Sequence, residues 1–257
     1  MRLDKRIAIV TGAGSGIGAA IARRFAAEGA SVIAADINAD AVARTAEGQE
    51  RIVGQTCDVT GAGAVDSLVD DVVARFGRID LMVNNVGQSV AGLLTDATDE
   101  EWNRVLALTL SSTFYGTRAA LRAMLPNRSG SIINISSGAG FAGAPGLATY
   151  GAAKAGVNHL TQSAAVENAR SGVRINAIAP GSIETPAILA WANNLPGGVP
   201  AYEATLLPGR FGRPEEIAAA ALFLATDEAS FVNGVILSVD GAASARMPAI
   251  APPDFDK

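Results

Sequence analysis

The sequence predicts one α/β domain, a doubly wound parallel sheet of about seven strands in three layers, with helices on both faces. Short apolar runs alternate with amphipathic segments along the chain, and most of the apolar runs have no polar interruption. Uninterrupted apolar strands are typical of a parallel sheet whose two faces are both covered. Polar residues follow several of these runs, and a doubly wound sheet binds its ligands at that edge.

The predicted strands and helices alternate along the chain. The strands are predicted at 6–11, 31–36, 51–57, 81–84, 130–135, 174–178 and 235–239. The helices are predicted at 15–28, 39–47, 63–76, 99–125, 148–171 and 215–224. Pro214 and the two glutamates after it favour the start of the last helix, because proline suits the first turn of a helix.

Bulk composition narrows the function. The 257 residues suit one domain, and a formal net charge of −5 argues against a nucleic-acid partner. Cys57 is the only cysteine and His159 the only histidine, so we expect no intramolecular disulfide and no metal site. The chain has no apolar run long enough to span a membrane. The first predicted strand begins too early to leave room for a signal peptide, so we expect a cytoplasmic protein.

A glycine-rich turn links the first predicted strand and helix. It reads Gly12-Ala-Gly-Ser-Gly-Ile-Gly18, and the strand 31–36 follows the helix. A strand–turn–helix–strand unit of about 30 residues is the context that a dinucleotide-binding turn requires. Glycines let the backbone approach a pyrophosphate, and the helix N-terminus supplies N–H donors. The residues expected to bind the cofactor here are Gly12, Ser15, Gly16, Ile17 and Gly18.

Asp36 ends the second predicted strand and bears on the choice of cofactor. A carboxylate there accepts hydrogen bonds from the adenosine ribose and repels a 2′-phosphate. Neither Ser15 in the turn nor Ile37 after Asp36 offers a positive charge. We therefore expect NAD rather than NADP. The alternative is that Asp36 only ends the strand.

Tyr150 and Lys154 are four residues apart, and Ser137 lies thirteen residues before Tyr150. On a helix, a spacing of four puts the phenol and the ammonium on one face. A nearby cation lowers the pKa of a phenol from about 10, and a serine hydroxyl can orient a substrate oxygen. These residues form a proton-transfer site for an alcohol or a carbonyl. The spacing alone also fits a packed tyrosine and a lysine in solvent, and the N-terminal unit favours the site.

Together these motifs resemble the short-chain dehydrogenase/reductase family of the single-domain type, over nearly the whole chain. Cys57-Asp58-Val59 resembles the segment that contacts adenine, and Asn84-Asn85-Val86-Gly87 resembles the family's Asn-Asn-Ala-Gly strand end. The resemblance implies a Rossmann fold and the catalytic set Ser137, Tyr150 and Lys154. It also adds the cofactor-binding residues Asp58, Val59, Asn84, Tyr150, Lys154, Pro180, Gly181, Ile183 and Thr185.

The resemblance further implies NAD-dependent interconversion of a secondary alcohol and a ketone, in a homotetramer, with a substrate lid at about 186–213. The segments 88–94 and 138–147 carry no charged residue, which indicates a small to medium, uncharged substrate. Two other functions stay open. One is a reductase of 3-oxoacyl thioesters that uses NADPH, and the other is a non-catalytic nucleotide-binding regulator.

One position departs from the family pattern. Thr109 stands where the family usually has an asparagine that orders a water between the lysine and solvent. We expect a working enzyme with a slower proton relay. After Gly241 the tail runs to Lys257, and the sequence leaves open whether it reaches a neighbouring subunit or is disordered.

Overall fold

The computed structural model describes residues 1–245, so most of the tail discussed above lies outside the described residues. Seven parallel strands form one sheet in the order β3-β2-β1-β4-β5-β6-β7. This confirms the predicted fold class. The strands are β1 (Ile7–Thr11), β2 (Ser31–Asp36), β3 (Ile52–Thr56), β4 (Leu81–Asn84), β5 (Gly130–Ile135), β6 (Val173–Pro180) and β7 (Ile236–Val239).

Helices cover both faces of the sheet. They are α1 (Gly16–Ala27), α2 (Ala39–Ala46), α3 (Ala62–Phe76), α4 (Asp99–Leu106), α5 (Ser112–Met124), α6 (Ala148–Glu167), α7 (Pro186–Ala192), α8 (Gly198–Glu203) and α9 (Pro214–Ala225). One apolar core contains Phe25 of α1 and Leu222 of α9. The other contains Val72 of α3 and Met124 of α5. The strand order reverses between β1 and β4, so the ligand crevice of this fold lies at their carboxyl ends.

The predicted helix 99–125 is interrupted in the structure. It consists of α4, a π-helical turn at Ala107–Ser111, and α5. The Ser112 hydroxyl donates to the Leu108 carbonyl at 2.6 Å, and the Thr113 hydroxyl donates to the Thr109 carbonyl at 2.9 Å. Such side-chain bonds to carbonyls one turn back bend helices, and they explain an interruption that helix periodicity does not reveal.

The last predicted turn of helix 148–171 is also absent from the structure, because α6 ends at Glu167. The chain reverses before β6 at Gly172, which has a φ of 83°. A Cβ atom on Gly172 would lie 2.1 Å from the Arg128 carbonyl oxygen. Glycine is therefore required at this reversal.

Candidate active site

The glycine-rich turn between β1 and α1 has contacts that only glycine permits. Gly12 and Gly16 have φ angles of 62° and 51°. A Cβ atom on Gly18 would lie 2.2 Å from the Gly12 carbonyl oxygen. Ser15 is the N-cap of α1, and Ile17 lies in its first turn. The turn therefore leads straight into the free N–H groups of a helix N-terminus, which is a binding geometry for phosphate.

The Asp36 carboxylate is held beside this turn by two backbone donors. Its Oδ2 atom accepts from the Gly14 amide, and its Oδ1 atom accepts from the Asn38 amide, both at 3.0 Å. These bonds fix the carboxylate between the turn and the start of α2. A carboxylate oxygen accepts more than one hydrogen bond, so Asp36 keeps the capacity to bind a ribose hydroxyl.

Asp58 follows β3 at the same edge of the sheet. Its Oδ1 atom accepts from the amide and the hydroxyl of Thr60, at 2.9 and 2.7 Å. These bonds hold the pKa of the exposed carboxyl below its usual value. Val59 beside it is buried. The pair therefore offers an ionised carboxylate next to an apolar side chain.

Lys154 lies inside the protein, with only 2% of its surface exposed. Its Nζ atom donates to the Ile135 carbonyl at 2.6 Å and lies 5.6 Å from the centre of the Tyr150 ring. Burial lowers the pKa of the ammonium to about 7. A Cβ atom on Gly87 would lie 3.0 Å from Nζ, so a glycine makes room for this side chain. The alternative of a lysine in solvent is excluded.

Tyr150 lies on α6 beside Lys154 and retains some exposure. Burial of most of the ring raises the pKa of its phenol, and a side-chain hydrogen bond with Ser137 acts in the opposite direction. Burial is the larger of these two effects. Ser137 follows β5 in an extended conformation, and its hydroxyl oxygen accepts from the Ala139 amide at 3.2 Å.

The loop after β6 reaches the glycine-rich turn. Pro180 is the last residue of β6, and Gly181, Ile183 and Thr185 follow it. A Cβ atom on Gly16 would lie 3.0 Å from the Thr185 methyl group. The structure thus brings the predicted turn, loop, serine, tyrosine and lysine to one edge of the sheet.

The chain is similar to known oxidoreductases over nearly its whole length. A family model described as Enoyl-(Acyl carrier protein) reductase matches residues 12–243. The chain is 41% identical over 246 residues to the 3-oxoacyl-[acyl-carrier-protein] reductase FabG of Thermotoga maritima, covering 94% of this chain and 98% of that protein. It is 44% identical over 246 residues to the cis-4-hydroxycyclohexanecarboxylate dehydrogenase of Sinomonas cyclohexanicum, covering 94% and 97%.

Among solved structures, levodione reductase superposes with a TM-score of 0.91 at 33% identity, covering 96% of this chain and all of that one (100%). A short-chain dehydrogenase/reductase from Burkholderia xenovorans also superposes with a TM-score of 0.91, at 38% identity, covering 96% and 99%. This chain belongs to the short-chain dehydrogenase/reductase family.

Within this family fold, the Asn84 side chain is packed between the sheet and α5. Its amide donates to Asn134 Oδ1 at 2.8 Å and to Thr117 Oγ1 at 3.2 Å. A Cβ atom on Gly116 would lie 1.9 Å from Asn84 Oδ1. The side chain therefore joins β4, β5 and α5, and its predicted part in cofactor binding stays a prediction.

Asn85 is a residue of this short-chain dehydrogenase/reductase to which the sequence analysis gave no role. Its amide donates to the carbonyl oxygens of Thr11 and Gly12, both at 3.1 Å. It therefore holds the glycine-rich turn from the end of β4. In the sequence, only its place beside Asn84 in the Asn-Asn-Val-Gly motif pointed to Asn85. Its role in holding the turn is shown by the contacts.

Thr109 lies in the π-helical turn and is fully buried. Its hydroxyl accepts from the Gln88 amide at 3.3 Å. A Cβ atom on Gly87 would lie 3.7 Å from the Thr109 methyl group and 3.0 Å from Lys154 Nζ. The residue that departs from the family pattern is thus a close neighbour of the lysine.

A crevice of about 410 Å³ lies between the glycine-rich turn and the start of α7. Ser15 and Gly16 line it together with two arginines, Arg23 and Arg44. Positions 15 and 37, next to the turn and Asp36 in the sequence, carry no positive charge. The two arginines come from further along the chain, where α1 and α2 bring them near the turn, so local sequence did not predict them.

The predicted lid region, 186–213, forms two short helices, α7 and α8. Trp191 and Tyr202 pack edge to face with ring centres 5.1 Å apart, and Tyr202 and Phe211 are 5.5 Å apart. The Tyr202 hydroxyl lies 2.8 Å from the hydroxyl of Ser182. Part of this region is therefore tied to the loop that follows β6.

Within residues 1–245, none of the helices is both long and apolar enough to cross a membrane. The same part of the chain contains no group of three or more His, Cys, Asp or Glu side chains placed to hold a metal ion. His159 lies exposed on α6, as a helix residue outside the site.

Proposed function

We propose that this chain is an NAD(H)-dependent oxidoreductase that interconverts a secondary alcohol and a ketone. The observation that carries the proposal is the pairing of Tyr150 with a buried Lys154 on α6, with the Ser137 hydroxyl near enough to favour the ionised phenol. The arrangement can pass a proton to or from an oxygen atom that is held at the carboxyl edge of the sheet. The similarity to a reductase and a dehydrogenase supports this reaction class.

The residues at this edge fit a nicotinamide dinucleotide. Gly12 and Gly16, with their positive φ angles, shape a turn whose backbone can approach a pyrophosphate at the N-terminus of α1. Asp36 would bind the adenosine ribose, with Asp58 and Val59 near the adenine. Thr185 and Ile183 lie where the loop after β6 meets the turn, and they would contact the carboxamide. A nicotinamide held by these residues would supply hydride transfer to or from the substrate carbon.

The protein's own residues handle the proton. In oxidation, Tyr150 takes the proton from the alcohol oxygen, and in reduction it returns that proton to the carbonyl oxygen. Ser137 donates a hydrogen bond to the same oxygen and orients it. Lys154 binds the ribose beside the nicotinamide and, when charged, favours the phenolate of Tyr150.

Specificity for NAD rests on Asp36. Its carboxylate is fixed beside the turn by two amides, so it cannot swing away from a 2′-phosphate without breaking both bonds. Arg23 and Arg44 line the neighbouring crevice and favour the competing cofactor, NADPH. We propose NAD because the carboxylate lies between the turn and β2, where the ribose hydroxyls bind in this fold.

The second candidate is a reductase of 3-oxoacyl thioesters that uses NADPH. The two arginines and the similarity to the 3-oxoacyl-[acyl-carrier-protein] reductase FabG of Thermotoga maritima favour it. A non-catalytic regulator is disfavoured. Burying Lys154 costs stability, and buried lysines of this kind occur mostly at sites that use them in catalysis.

The lid assignment is also part of the proposal: residues 1–257 work as one cofactor-binding and catalytic domain, and residues 186–213 cover the substrate. Trp191 and Phe141 are exposed near the site, with 43% and 48% of their surfaces accessible. Apolar rings of this kind suit a small to medium, uncharged alcohol or ketone.

We infer a homotetramer that acts in the cytoplasm. Apolar surface is exposed at Phe231, which precedes β7, at Val166 on α6 and at Phe223 on α9, with Phe231 fully exposed at 103%. Trp102 and Phe114 expose apolar surface on α4 and α5. Two separate apolar faces suit an assembly with two kinds of contact. The lone buried thiol of Cys57 suits a reducing compartment.

Cofactor binding and turnover test the proposal together. Fluorescence titration with NADH and NADPH is compared between wild type and Asp36→Ala, and a panel of secondary alcohols is then assayed with the preferred cofactor. We expect tighter binding of NADH, a loss of that preference in the variant, and turnover of apolar alcohols. Preference for NADPH with turnover of 3-oxoacyl thioesters alone would establish the second candidate. Nucleotide binding without any turnover would establish a regulator.

A further inference from the structure

A buried amide on α6 clamps the turn that carries Ser137. Asn158 is 8% exposed and lies one helical turn after Lys154. Its Oδ1 atom accepts from the Ser136 hydroxyl at 2.5 Å, and its Nδ2 atom donates to the Gly140 carbonyl at 3.2 Å. One side chain thus binds the residue before Ser137 and the turn after it.

The turn lies so close to α6 that glycine is needed on both sides. A Cβ atom on Gly140 would lie 2.8 Å from Asn158 Nδ2 and 2.9 Å from the carbonyl carbon of Lys154. A Cβ atom on Gly151 would lie 3.0 Å from the Ala139 carbonyl oxygen. The segment from Ser137 to Gly140 therefore packs closely against α6, and the Asn158 side chain binds it at Gly140.

The clamp and the reactive groups share one face of one helix. Tyr150, Lys154 and Asn158 follow each other at intervals of four residues on α6, so their side chains lie in a row. Ser137 meets Tyr150 at one end of this row, and Asn158 holds the turn of Ser137 at the other. The position of the Ser137 hydroxyl relative to the phenol depends on how firmly the turn is held.

We propose that Asn158 is a positioning residue for the reaction: it holds the 137–140 turn on α6 so that the Ser137 hydroxyl stays beside the Tyr150 phenol. The inference rests on the proposed function of this site. The chain also offers a matched control in Asn176, a fully buried amide that bridges two backbone groups away from the site. Its Nδ2 atom donates to the Val232 carbonyl at 2.9 Å, and its Oδ1 atom accepts from the Val235 amide at 3.0 Å.

The test compares Asn158→Ala, Asn176→Ala, Ser137→Ala and the double variant Asn158→Ala/Ser137→Ala. We expect Asn158→Ala to lower kcat about tenfold or more, since a small displacement of a reacting group is costly. NADH affinity is unchanged. The rise of the oxidation rate with pH moves to higher pH, because the Ser137 hydroxyl, which lowers the pKa of Tyr150, is displaced. Asn176→Ala lowers the unfolding temperature but leaves kcat and the pH profile unchanged.

The double variant separates positioning from a general loss of stability. If Asn158 acts through Ser137, then Asn158→Ala adds little to the loss already caused by Ser137→Ala. The inference would be overturned if the kcat losses of the two single variants multiplied in the double variant. It would also be overturned if Asn158→Ala kept the wild-type kcat and pH profile. If Asn158→Ala does not fold, Ser136→Ala removes one half of the clamp and is expected to shift the pH profile in the same direction. A wild type without turnover, or an active Tyr150→Phe, would instead contradict the proposed function.

Discussion

At the scale of single residues, burial acts on both partners of the reactive pair. It raises the pKa of the Tyr150 phenol and lowers the pKa of the Lys154 ammonium to about 7. Both shifts favour the neutral forms, which a low-dielectric surrounding favours in general. The spacing of the two residues was visible in the sequence, but their burial was not, because it depends on Gly87 and on the packing of α6.

Lys154→Met is expected to lose turnover and gain stability. The folded-state pKa of about 7 lies below the usual lysine value. The Lys154 amine therefore binds its proton more weakly in the folded protein than in the unfolded chain, and this destabilises the folded state. The destabilisation is fully present below about pH 7 and fades as the pH rises towards the usual lysine pKa. We expect a gain in the free energy of unfolding on the order of 5 kcal/mol at pH 6.5 and about half of that at pH 9.

Urea denaturation at the two pH values measures this gain, with Lys5→Met as the control because Lys5 is exposed. A Lys154→Met protein that is less stable than wild type at pH 6.5 would contradict the predicted cost of burying the ammonium.

Thr109→Asn is expected to raise turnover several-fold. The two side chains are similar in volume, and an amide in this buried place would reach further towards Lys154 than the hydroxyl does. The steady-state kcat of the variant is compared with that of Ser111→Asn, a neighbour in the same π-helical turn. An unchanged kcat in Thr109→Asn would mean that the proton relay runs by another route.

The sequence predicted most residues that the structure places at the carboxyl edge, because the glycine-rich turn, Asp36 and the Tyr150–Lys154 pair each have a characteristic spacing. It did not predict Asn85 or Asn158. Both act by bridging backbone groups that are distant in the chain, Gly12 in one case and Gly140 in the other. No local pattern reveals such a contact.

At the scale of elements, the strands were predicted well, since uninterrupted apolar runs bounded by polar residues are typical of strands in a parallel sheet that is covered on both faces. Two features were missed. The π-helical turn arises from the Ser112 and Thr113 hydroxyls, and serine or threonine alone does not predict it. The helices α7 and α8 were not predicted, because proline and glycine are frequent between residues 186 and 213.

The lid is expected to depend on a single hydroxyl contact. Tyr202→Phe removes the bond to Ser182 and keeps the ring packing with Trp191 and Phe211. A hydrogen bond of this kind contributes about 1 kcal/mol, so KM for the alcohol should rise about twofold to tenfold. NADH affinity should change little.

Steady-state kinetics and NADH titration measure both quantities, with Tyr115→Phe on α5 as the control. An unchanged KM in Tyr202→Phe would show that this contact does not hold the lid over the substrate.

At the scale of the molecule, the alternation of strands and helices predicted a doubly wound sheet and the edge where ligands bind. The order of the strands could not be predicted from alternation alone. The reversal between β1 and β4 depends on which strands pair, and pairing is a property of the folded core.

Oligomer formation is expected to depend on the apolar surface beside β7. Phe231→Asp places a charge on a side chain that is fully exposed in the single chain, and burying that charge in an interface is unfavourable. Light scattering should show a smaller assembly for this variant than for the wild type. Val53→Asp, on β3 at the opposite edge of the sheet, should leave the mass unchanged. A Phe231→Asp protein with the wild-type mass would contradict the proposed interface.

The most direct test of the central claim is the turnover of Tyr150→Phe, measured by the change in NADH absorbance with an alcohol that the wild type oxidises. The account predicts that the variant binds NADH as the wild type does and that kcat falls at least about a hundredfold, because the proton-transfer group is lost. A Tyr150→Phe enzyme that keeps wild-type turnover would show that another group moves the proton.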